Sequence, residues 1–534
     1  MAVEDFLRTA VSRRTALKAG AATFLGSQLA LMEGLAVAPM RPALAADTRP
    51  SDIQFDIGRF VHPAQTFNDG AGDVVADFGV TFALLIPAKL GRRPRESDQR
   101  LLSRALDTIE DHFPMSPAGI FVHVHWGLPY FNRLPQRIVR AHMPRLLSDR
   151  TRSVLEESPK FPTDVAAENP TIQKDRFNVP VVIERNDVLF HLKSDSVRNT
   201  ADVLAWLSGS NHLNGRRVES PDFDGLFHFQ RARLQFVQPG MPRKVADAAA
   251  AANPALYEYH TRINPDSSMT MGFVDQQVDS TAPTAQVVTF VGSSHARLTT
   301  ADHGDYFDNG SICHFSHDIE DLFQFYALPH QDPRHPDGEP FTERLQYMFR
   351  SNELGTTNGI ATAGNADQFK NGGGAAFVNN RFQGADAAAR GAADAGGTFA
   401  PGNQTLDATF TGKPRIGHEV ALQRSSRAAD GTPLHIRNDG PGFDSMDVPS
   451  FQDFPGGTTF PAGTNQFKLQ FLAFVPTSEF FRAMRVNAAA QDLQAQDHVD
   501  PDDNGVERFI TATRRQNFLT PPRRHRSFPL IEKT

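Results

Sequence analysis

The order of strand-like and helix-like segments between residues 78 and 237 constrains the fold more than any other feature of the sequence. The strands are short, largely apolar runs, and the first of them is predicted to stop at Pro87. The helices carry apolar residues on one face, and Ser194 or Asp195 is predicted to cap the second. Strands are predicted at 78–86, 119–127, 187–193 and 226–237, and helices at 95–113 and 197–207. Strand, helix, strand, strand, helix, strand is the order of a ferredoxin-like α+β unit.

A similar order of segments follows in the second half of the chain. Its predicted elements are extended segments at 287–291, 312–315, 434–437 and 467–474, a helix at 342–352, and a helix from Pro476 toward 496. Residues 355–412 are rich in Gly, Ala, Asn and Asp, which indicates a loop-rich insertion. Residues 521–526 are basic and are predicted to form a surface tail. These segments predict a division of the chain into a leading segment at 1–46 and two domains at 47–250 and 251–534.

Charge and cysteine content exclude several function classes. The chain of 534 residues has a formal charge of −7, and residues 1–46 carry five basic and three acidic side chains, so the remainder stands at −9. An acidic body argues against nucleic acid and anionic membrane surfaces as partners. The single cysteine, Cys313, excludes an intramolecular disulfide and a cysteine-rich zinc or iron–sulfur site.

The first 46 residues are predicted to be an export signal. Residues 12–18 (SRRTALK) resemble the twin-arginine motif, with Ala16 where a phenylalanine is usual. A weakly apolar run at 19–39 and small residues at 43–46 follow in the order of a signal peptide. We therefore expect export by the twin-arginine route to the periplasm or outside, with no membrane span after the signal is removed.

Two side chains are candidates for a redox site. His435 lies in the strand-like run 432–438 (TPLHIRN) beside Arg437, and Asp275 lies in a glycine-led turn at 271–277 (MGFVDQQ). An imidazole and a carboxylate that face one cavity from opposite sides are what a histidine-ligated haem peroxidase needs. The alternatives are a core histidine that packs in the interior, a turn aspartate that bonds its own backbone, and a surface arginine.

These segments resemble the dye-decolorising peroxidase family. Residues 272–275 are similar to the first four of its Gly-x-x-Asp-Gly motif, and 435–437 (HIR) to the run that carries its proximal haem histidine. The segment 187–196 resembles its first strand–helix junction, and 467–474 its closing strand. The resemblance spans most of residues 75–515. It implies two ferredoxin-like domains with antiparallel sheets and helices on one face, in a duplicated dimeric α+β barrel-like arrangement, with haem b in the second domain.

The same resemblance implies roles for individual residues. His435 is expected to be the iron ligand, Asp275 the distal carboxylate that moves peroxide protons, and Arg437 a propionate partner. The partners are then H2O2 and an organic electron donor, and the chain is expected to be an exported peroxidase that can form a homo-oligomer.

Two departures from the family pattern favour a different function. Gln276 replaces the second motif glycine, and no arginine stands between Arg437 and Arg482, where the family has its distal arginine. The matching stretch, 449–454, has no cation. Loss of such a cation costs orders of magnitude in rate unless a distant arginine, such as Arg381 or Arg424, replaces it. The alternative is a non-catalytic protein on the same scaffold that binds haem or no cofactor.

A third hypothesis is a histidine metal site. His123 and His125 lie two apart on one strand face, and His314 and His317 stand three apart near Asp318. Such spacings are found in zinc and copper sites. Convergence of the two pairs in space would favour this hypothesis.

Overall fold

The computed structural model of the chain describes residues 50–58, 60, 62, 65–68, 73–76, 79–159, 181–252, 260–263, 265–271, 284–292, 298–322, 435–444, 468–479, 481 and 509–534. The export signal, the predicted helix at 342–352, the insertion at 355–412 and most of the predicted helix after Pro476 lie outside these residues. Each helix that the structure describes is too short or too polar to cross a lipid bilayer.

The first half of the chain contains ten strands and five helices within the described residues. The strands are β1 Gln65–Asn68, β2 Asp73–Ala76, β3 Phe82–Leu90, β4 Phe121–Gly127, β5 Val182–Ile183, β6 Val188–Ser194, β7 His212–Leu213, β8 Arg216–Arg217, β9 Phe227–Phe229 and β10 Arg233–Phe236. The helices are α1 Glu96–His112, α2 Leu128–Asn132, α3 Gln136–His142, α4 Val197–Leu207 and α5 Met241–Ala252.

The second half contributes five strands and several single-turn 3₁₀ helices. The strands are β11 Ser311–Glu320, β12 Ile436–Arg437, β13 Gly440–Asp444, β14 Lys468–Val475 and β15 Ile510–Thr520. The 3₁₀ helices are His260–Arg262, Ala285–Val288, Arg523–His525 and Ile531–Lys533.

Strands from both halves form one closed antiparallel barrel. Around the ring the order is β10, β13, β14, β11, β15, β4, β6 and β3, and β3 pairs back onto β10. Each half supplies four neighbouring strands. In chain order the four are β3, β4, β6 and β10 in the first half, and β11, β13, β14 and β15 in the second. Around the ring, each half has its second strand first, followed by its third, its first and its fourth. The halves meet where β4 pairs with β15 and where β10 pairs with β13. This arrangement confirms the expected duplicated α+β barrel of two ferredoxin-like units.

Side chains on the outer face of the barrel form the main core. Leu84 on β3, Val124 on β4 and Phe190 on β6 pack in one buried cluster with residues of α1 and α4. On α1 the buried apolar residues are Leu102, Ala105, Leu106 and Ile109. They are the helix face predicted from the spacing, so the helix is where the sequence placed it.

A second apolar cluster lies on the inner face and is called here the inner cluster. Its members are Ile53, Phe55, Leu85, Leu189, Ala285, Val288, Cys313, Phe315, Leu472, Phe474 and Phe518. Those on strands alternate with residues of the outer core, as strand geometry requires. Phe55 stacks on Phe474 with ring centroids 4.4 Å apart, so the segment after residue 50 helps to fill the barrel.

The predicted end of the first strand at Pro87 is wrong. β3 continues through Pro87 to Leu90. The carbonyl of Pro87 accepts a hydrogen bond from Gln230 N at 2.7 Å, and Gln230 lies in the connection between β9 and β10. In an antiparallel strand the N–H and C=O of one residue point to the same neighbour. The missing N–H therefore faces this connection, which also splits the strand predicted at 226–237 into two.

The prediction of an extended segment at 287–291 is also wrong at the start of that range. Ala285–Val288 is a 3₁₀ turn, in which Val287 N donates to Thr284 O at 3.0 Å. Thr289 Oγ1 donates to Gln286 O at 2.7 Å and closes the turn. Local hydrogen bonds thus satisfy backbone groups that a strand would pair with a neighbour.

The predicted surface tail at 521–526 is the clearest error. Arg526 is buried, and Phe528, Leu530 and Ile531 belong to the outer core. Trp126 Nε1 donates to Arg526 O at 2.9 Å, so the end of the chain is held against β4. Basic composition suggested exposure, but apolar residues that follow position 526 anchor the segment.

The cap of α4 is Ser196, not Ser194 or Asp195. Ser196 Oγ accepts a hydrogen bond from Asn199 N at 3.4 Å. We expect Ser196→Ala to lower the free energy of unfolding by about 0.5–1 kcal/mol, because Asn199 N loses its side-chain acceptor and keeps only the carbonyl of Ser196. Urea denaturation measures the change. Ser196→Asp, which keeps an acceptor, is the control and should stay close to the parent. Equal losses in both variants would contradict a capping role.

Candidate functional site

Three histidines meet on the inner face of the barrel. β4 places His123 and His125 on one face because they are two residues apart, and β6 places His191 directly opposite His123. The ring centroids are 5.0 Å apart for His123 and His191, 5.7 Å for His125 and His191, and 6.2 Å for His123 and His125. One nitrogen from each ring lies within 4.8 Å of the other two.

These histidines are buried and poor in hydrogen bonds. Their exposed fractions are 1% for His123 and 0% for both His125 and His191. His125 Nδ1 lies 2.8 Å from Thr520 Oγ1. The other five ring nitrogens make no hydrogen bond to any residue that the structure describes. Buried polar atoms are nearly always paired, because each unpaired one costs about 1–3 kcal/mol. The cluster therefore needs a physical explanation.

Burial decides the protonation of the three rings. It lowers the pKa of His123 and His191 well below the ordinary value and that of His125 to about 3. Electrostatic repulsion from neighbouring histidines and from Lys193 adds to the effect at His123 and His191. At neutral pH all three imidazoles are thus uncharged, and an uncharged imidazole has a lone pair for a metal ion.

Lys193 is a charged neighbour on the same face of β6. Burial lowers its pKa to about 8, and its Nζ donates to Asn438 Oδ1 at 2.7 Å. Asn438 lies between β12 and β13, so this bond joins strands of the two halves across the barrel. Phe474 of the inner cluster borders the other side of the site, with its ring centroid 5.7 Å from that of His125.

His435 and Arg437, the predicted haem residues, lie at the edge of β14. His435 is 2% exposed and comes directly before β12, whose Ile436 and Arg437 pair with Phe474 and Ala473. Ile436 packs against the inner cluster, so strand alternation directs Arg437 to the outer side. Arg437 is half-buried.

The predicted distal side of a haem site is not among these residues. Asp275 and Gln276 lie outside the residues that the structure describes, and so do the arginine-free stretch 449–454, Arg381 and Arg424. The role of Asp275 therefore stays a prediction.

His314 and His317 do not join the histidine cluster. They are three residues apart on β11, so they face opposite sides of the sheet. His314 Nδ1 lies 2.7 Å from Asn517 Oδ1 and its ring stacks on Phe481, while His317 Nδ1 lies 2.5 Å from Thr513 Oγ1. The two pairs therefore do not converge, and the condition that would have favoured a metal site built from both pairs is not met.

The residue that the sequence did not single out is His191. The sequence did contain an indication of its position. His191 is in the predicted strand 187–193, two residues after Leu189, so both side chains lie on the same face of that strand. Only the pairing register of β4 with β6 brings it to His123 and His125.

Comparison with known proteins gives one family match and a set of solved structures. A family of unknown function, DUF7405, matches residues 154–336, which is about a third of the chain. No curated protein is significantly similar to the chain.

Several of the similar solved structures are peroxidases. One from Shewanella oneidensis, a DyP-type peroxidase protein, has 12% identity, covers 85% of this chain and 95% of its own, and gives a TM-score of 0.40. The encapsulated DyP-type peroxidase of Mycobacterium smegmatis has 13% identity, coverage of 84% and 94%, and a TM-score of 0.40. A Rhodococcus jostii DypB variant in complex with heme has 11% identity, coverage of 84% and 94%, and a TM-score of 0.39. At these values the likeness carries no argument about activity. These three solved structures carry the name of the family that the motifs of this chain resemble.

Proposed function

We propose that this chain is an exported haem-dependent, peroxidase-like oxidoreductase that uses H2O2 to oxidise an organic donor. The observation that carries the proposal is the burial of His435 within the HIR run, because a solvent-exposed imidazole at this position would argue against an axial ligand. The twin-arginine-like segment at 12–18 supports export to the periplasm or outside, since that route carries folded proteins with their cofactors.

The described residues fit one side of a haem b site. A histidine that serves as the axial ligand has to be shielded from water, and His435 meets this requirement at 2% exposure. Strand alternation places Arg437 on the same side as His435 and opposite to Ile436, and the half-buried Arg437 side chain suits a propionate carboxylate. His435 would hold the iron and Arg437 a propionate.

When bound, haem supplies the redox centre at which peroxide is reduced and the donor is oxidised. The chain supplies the ligand nitrogen and the proton transfers. In the proposal Asp275 takes the proton from the near oxygen of H2O2 and delivers it to the far oxygen, which leaves as water.

A second candidate function is haem binding without turnover. The sequence observation that favours it is the absence of arginine between Arg437 and Arg482. Without a cation to stabilise charge on the leaving oxygen, turnover is expected to fall by orders of magnitude, while binding needs only His435 and a fitting cavity.

The first experiment is the visible absorption spectrum of the purified chain with haem supplied, beside a His435→Ala variant. We expect a Soret band in the parent, and at least about a tenfold loss of bound haem in the variant, because the iron loses its axial nitrogen. His212→Ala, at an exposed histidine of β7, is the control and should bind haem as the parent does.

The result separates the alternatives. A parent chain with no Soret band would overturn the haem proposal, and retention of haem by His435→Ala would assign the ligand elsewhere. A haem-loaded parent that does not consume H2O2 with any tested donor would favour binding without turnover.

A further inference from the structure

The haem proposal does not use the three buried histidines, which lie on strands of the first half of the chain. We propose that His123, His125 and His191 bind one divalent transition-metal ion, of the zinc type, inside the barrel. This inference does not depend on haem at His435.

The spacing of the ring nitrogens suits such an ion. Zinc–nitrogen bonds of about 2.0–2.1 Å in a tetrahedral site imply nitrogens about 3.4 Å apart. The three candidate nitrogens lie within 4.8 Å of one another without an ion. Each ring therefore has to move by less than about 1 Å, which side-chain rotation of His123 and His191 can supply because neither ring is hydrogen-bonded to a described residue.

The backbone holds the three ligands in position. His123 and His191 are directly paired residues of β4 and β6, and His125 is the next residue on the same face of β4. Six consecutive residue pairs join these two strands. Ligands on paired strands of a buried sheet keep their geometry better than ligands on loops.

The set of donors indicates which ions the site would take. Among the residues that the structure describes, the cluster has three neutral imidazoles and no carboxylate, which suits zinc or copper and does not suit magnesium or calcium, because those ions prefer oxygen ligands. His125 Nδ1 lies 2.8 Å from Thr520 Oγ1, so Nε2 is the nitrogen that His125 has available for an ion, and outer partners of this kind are common at metal-bound histidines. Three protein ligands leave a fourth position for water or an anion.

Lys193 influences that fourth position. Lys193 is two residues from His191 and lies on the same face of β6, so its ammonium group adds positive potential on the side of the sheet that carries the three histidines. A divalent ion beside this lysine is favoured when the fourth ligand is an anion, because the anion offsets the added positive charge.

The alternative explanation is that the histidines only fill the barrel. His123 and His191 pack edge to face with an interplanar angle of 88°, as aromatic core residues do. That explanation leaves five buried ring nitrogens without a hydrogen bond to the described residues. A single bound ion would satisfy three of them at once, which is why we favour metal binding.

The test uses the full chain, purified without a histidine tag and without haem, stripped with a chelator and reloaded with Zn²⁺. We expect about one zinc per chain by elemental analysis after gel filtration, and a higher melting temperature with zinc than without it. Co²⁺ in place of Zn²⁺ should give the visible absorption bands of a four-coordinate cobalt ion.

Two variants assign the site. His191→Gln and His123→Gln keep side-chain bulk, and each is expected to lose at least about tenfold in zinc affinity and to lose the cobalt bands. His228→Ala, at an exposed histidine of β9, is the control and should bind as the parent does.

The parent measurement decides the matter even where a variant does not fold. Less than about half a zinc per chain in the parent, at micromolar free zinc, would overturn the proposal. Full zinc binding by both folded glutamine variants would overturn it as well.

Discussion

Phe528→Ala is expected to lower the free energy of unfolding by about 4 kcal/mol, because a fully buried aromatic ring leaves a cavity. The Phe528 ring is 0% exposed. Its centroid lies 4.7 Å from that of Trp126 and 5.6 Å from that of Phe227, so one side chain near the end of the chain contacts both β4 and β9. Tyr130 OH also donates to Pro529 O at 2.7 Å and holds the adjacent backbone.

The backbone conformation of Phe528 adds to the importance of its side-chain contacts. Phe528 has a φ of 42°, a left-handed conformation that costs a side-chain-bearing residue free energy and is held in place by its surroundings. Alanine keeps this cost and loses the contacts. Urea denaturation measures the loss, and Lys533→Ala, at an exposed residue of the same segment, should change stability by less than about 0.5 kcal/mol. If both variants behaved alike, the segment would be the surface tail that its basic composition suggested.

Asp187→Ala is the second large expected effect, with a loss of about 3 kcal/mol in the free energy of unfolding. Asp187 is 1% exposed. Its carboxylate accepts two hydrogen bonds from Arg133, at 2.7 and 3.0 Å, and one from Leu90 N at 2.8 Å. It therefore ties the end of β3 and the end of α2 to the start of β6. Alanine leaves the N–H of Leu90 and the guanidinium of Arg133 without this partner.

The size of this effect depends on the exposure of the arginine. The Arg133 side chain is 34% exposed, so part of its charge reaches water and the loss stays below that of a fully buried pair. Glu96→Ala is the control, since the Glu96–Arg100 pair lies on the surface with both side chains more than half exposed. That variant should change stability by less than about 0.5 kcal/mol. Similar losses in the two variants would show that the buried contacts of Asp187 stabilise the fold no more than a surface ion pair does.

Much of the fold could be predicted from local patterns. The apolar spacing in α1 and the alternation in β4 are properties of neighbouring residues, and the structure confirms both, including the face that His123 shares with His125. The strand–helix order also led to the ferredoxin-like units, because that order leaves few ways to cover a sheet. The errors at Ser196 and Ala285–Val288 were made where a cap or a turn depends on local hydrogen bonds, and the error at Pro87 was made where the missing N–H faces a connection and not a paired strand.

A central strand of the barrel was missed for a physical reason. β15 reads ITATRRQNFLT, and polar residues occupy much of it. It nevertheless lies between β11 and β4, and Arg515 is 0% exposed. The apolar patterns that indicate strands assume that a buried face is apolar, whereas this barrel buries polar side chains that find partners on other strands. Asn517 Oδ1 of β15, for example, lies 2.7 Å from Nδ1 of His314 on β11.

The sequence by itself determined the α+β class, the helix faces, the shared face of His123 and His125 and the resemblance on which the haem proposal rests. Each of these depends on residues close together in the chain. Only the tertiary structure closed the barrel, buried residues 527–531 and brought His191 to the other two histidines. These outcomes depend on the register between strands that are distant in sequence, and a one-residue shift of β6 against β4 would turn His191 to the outer face.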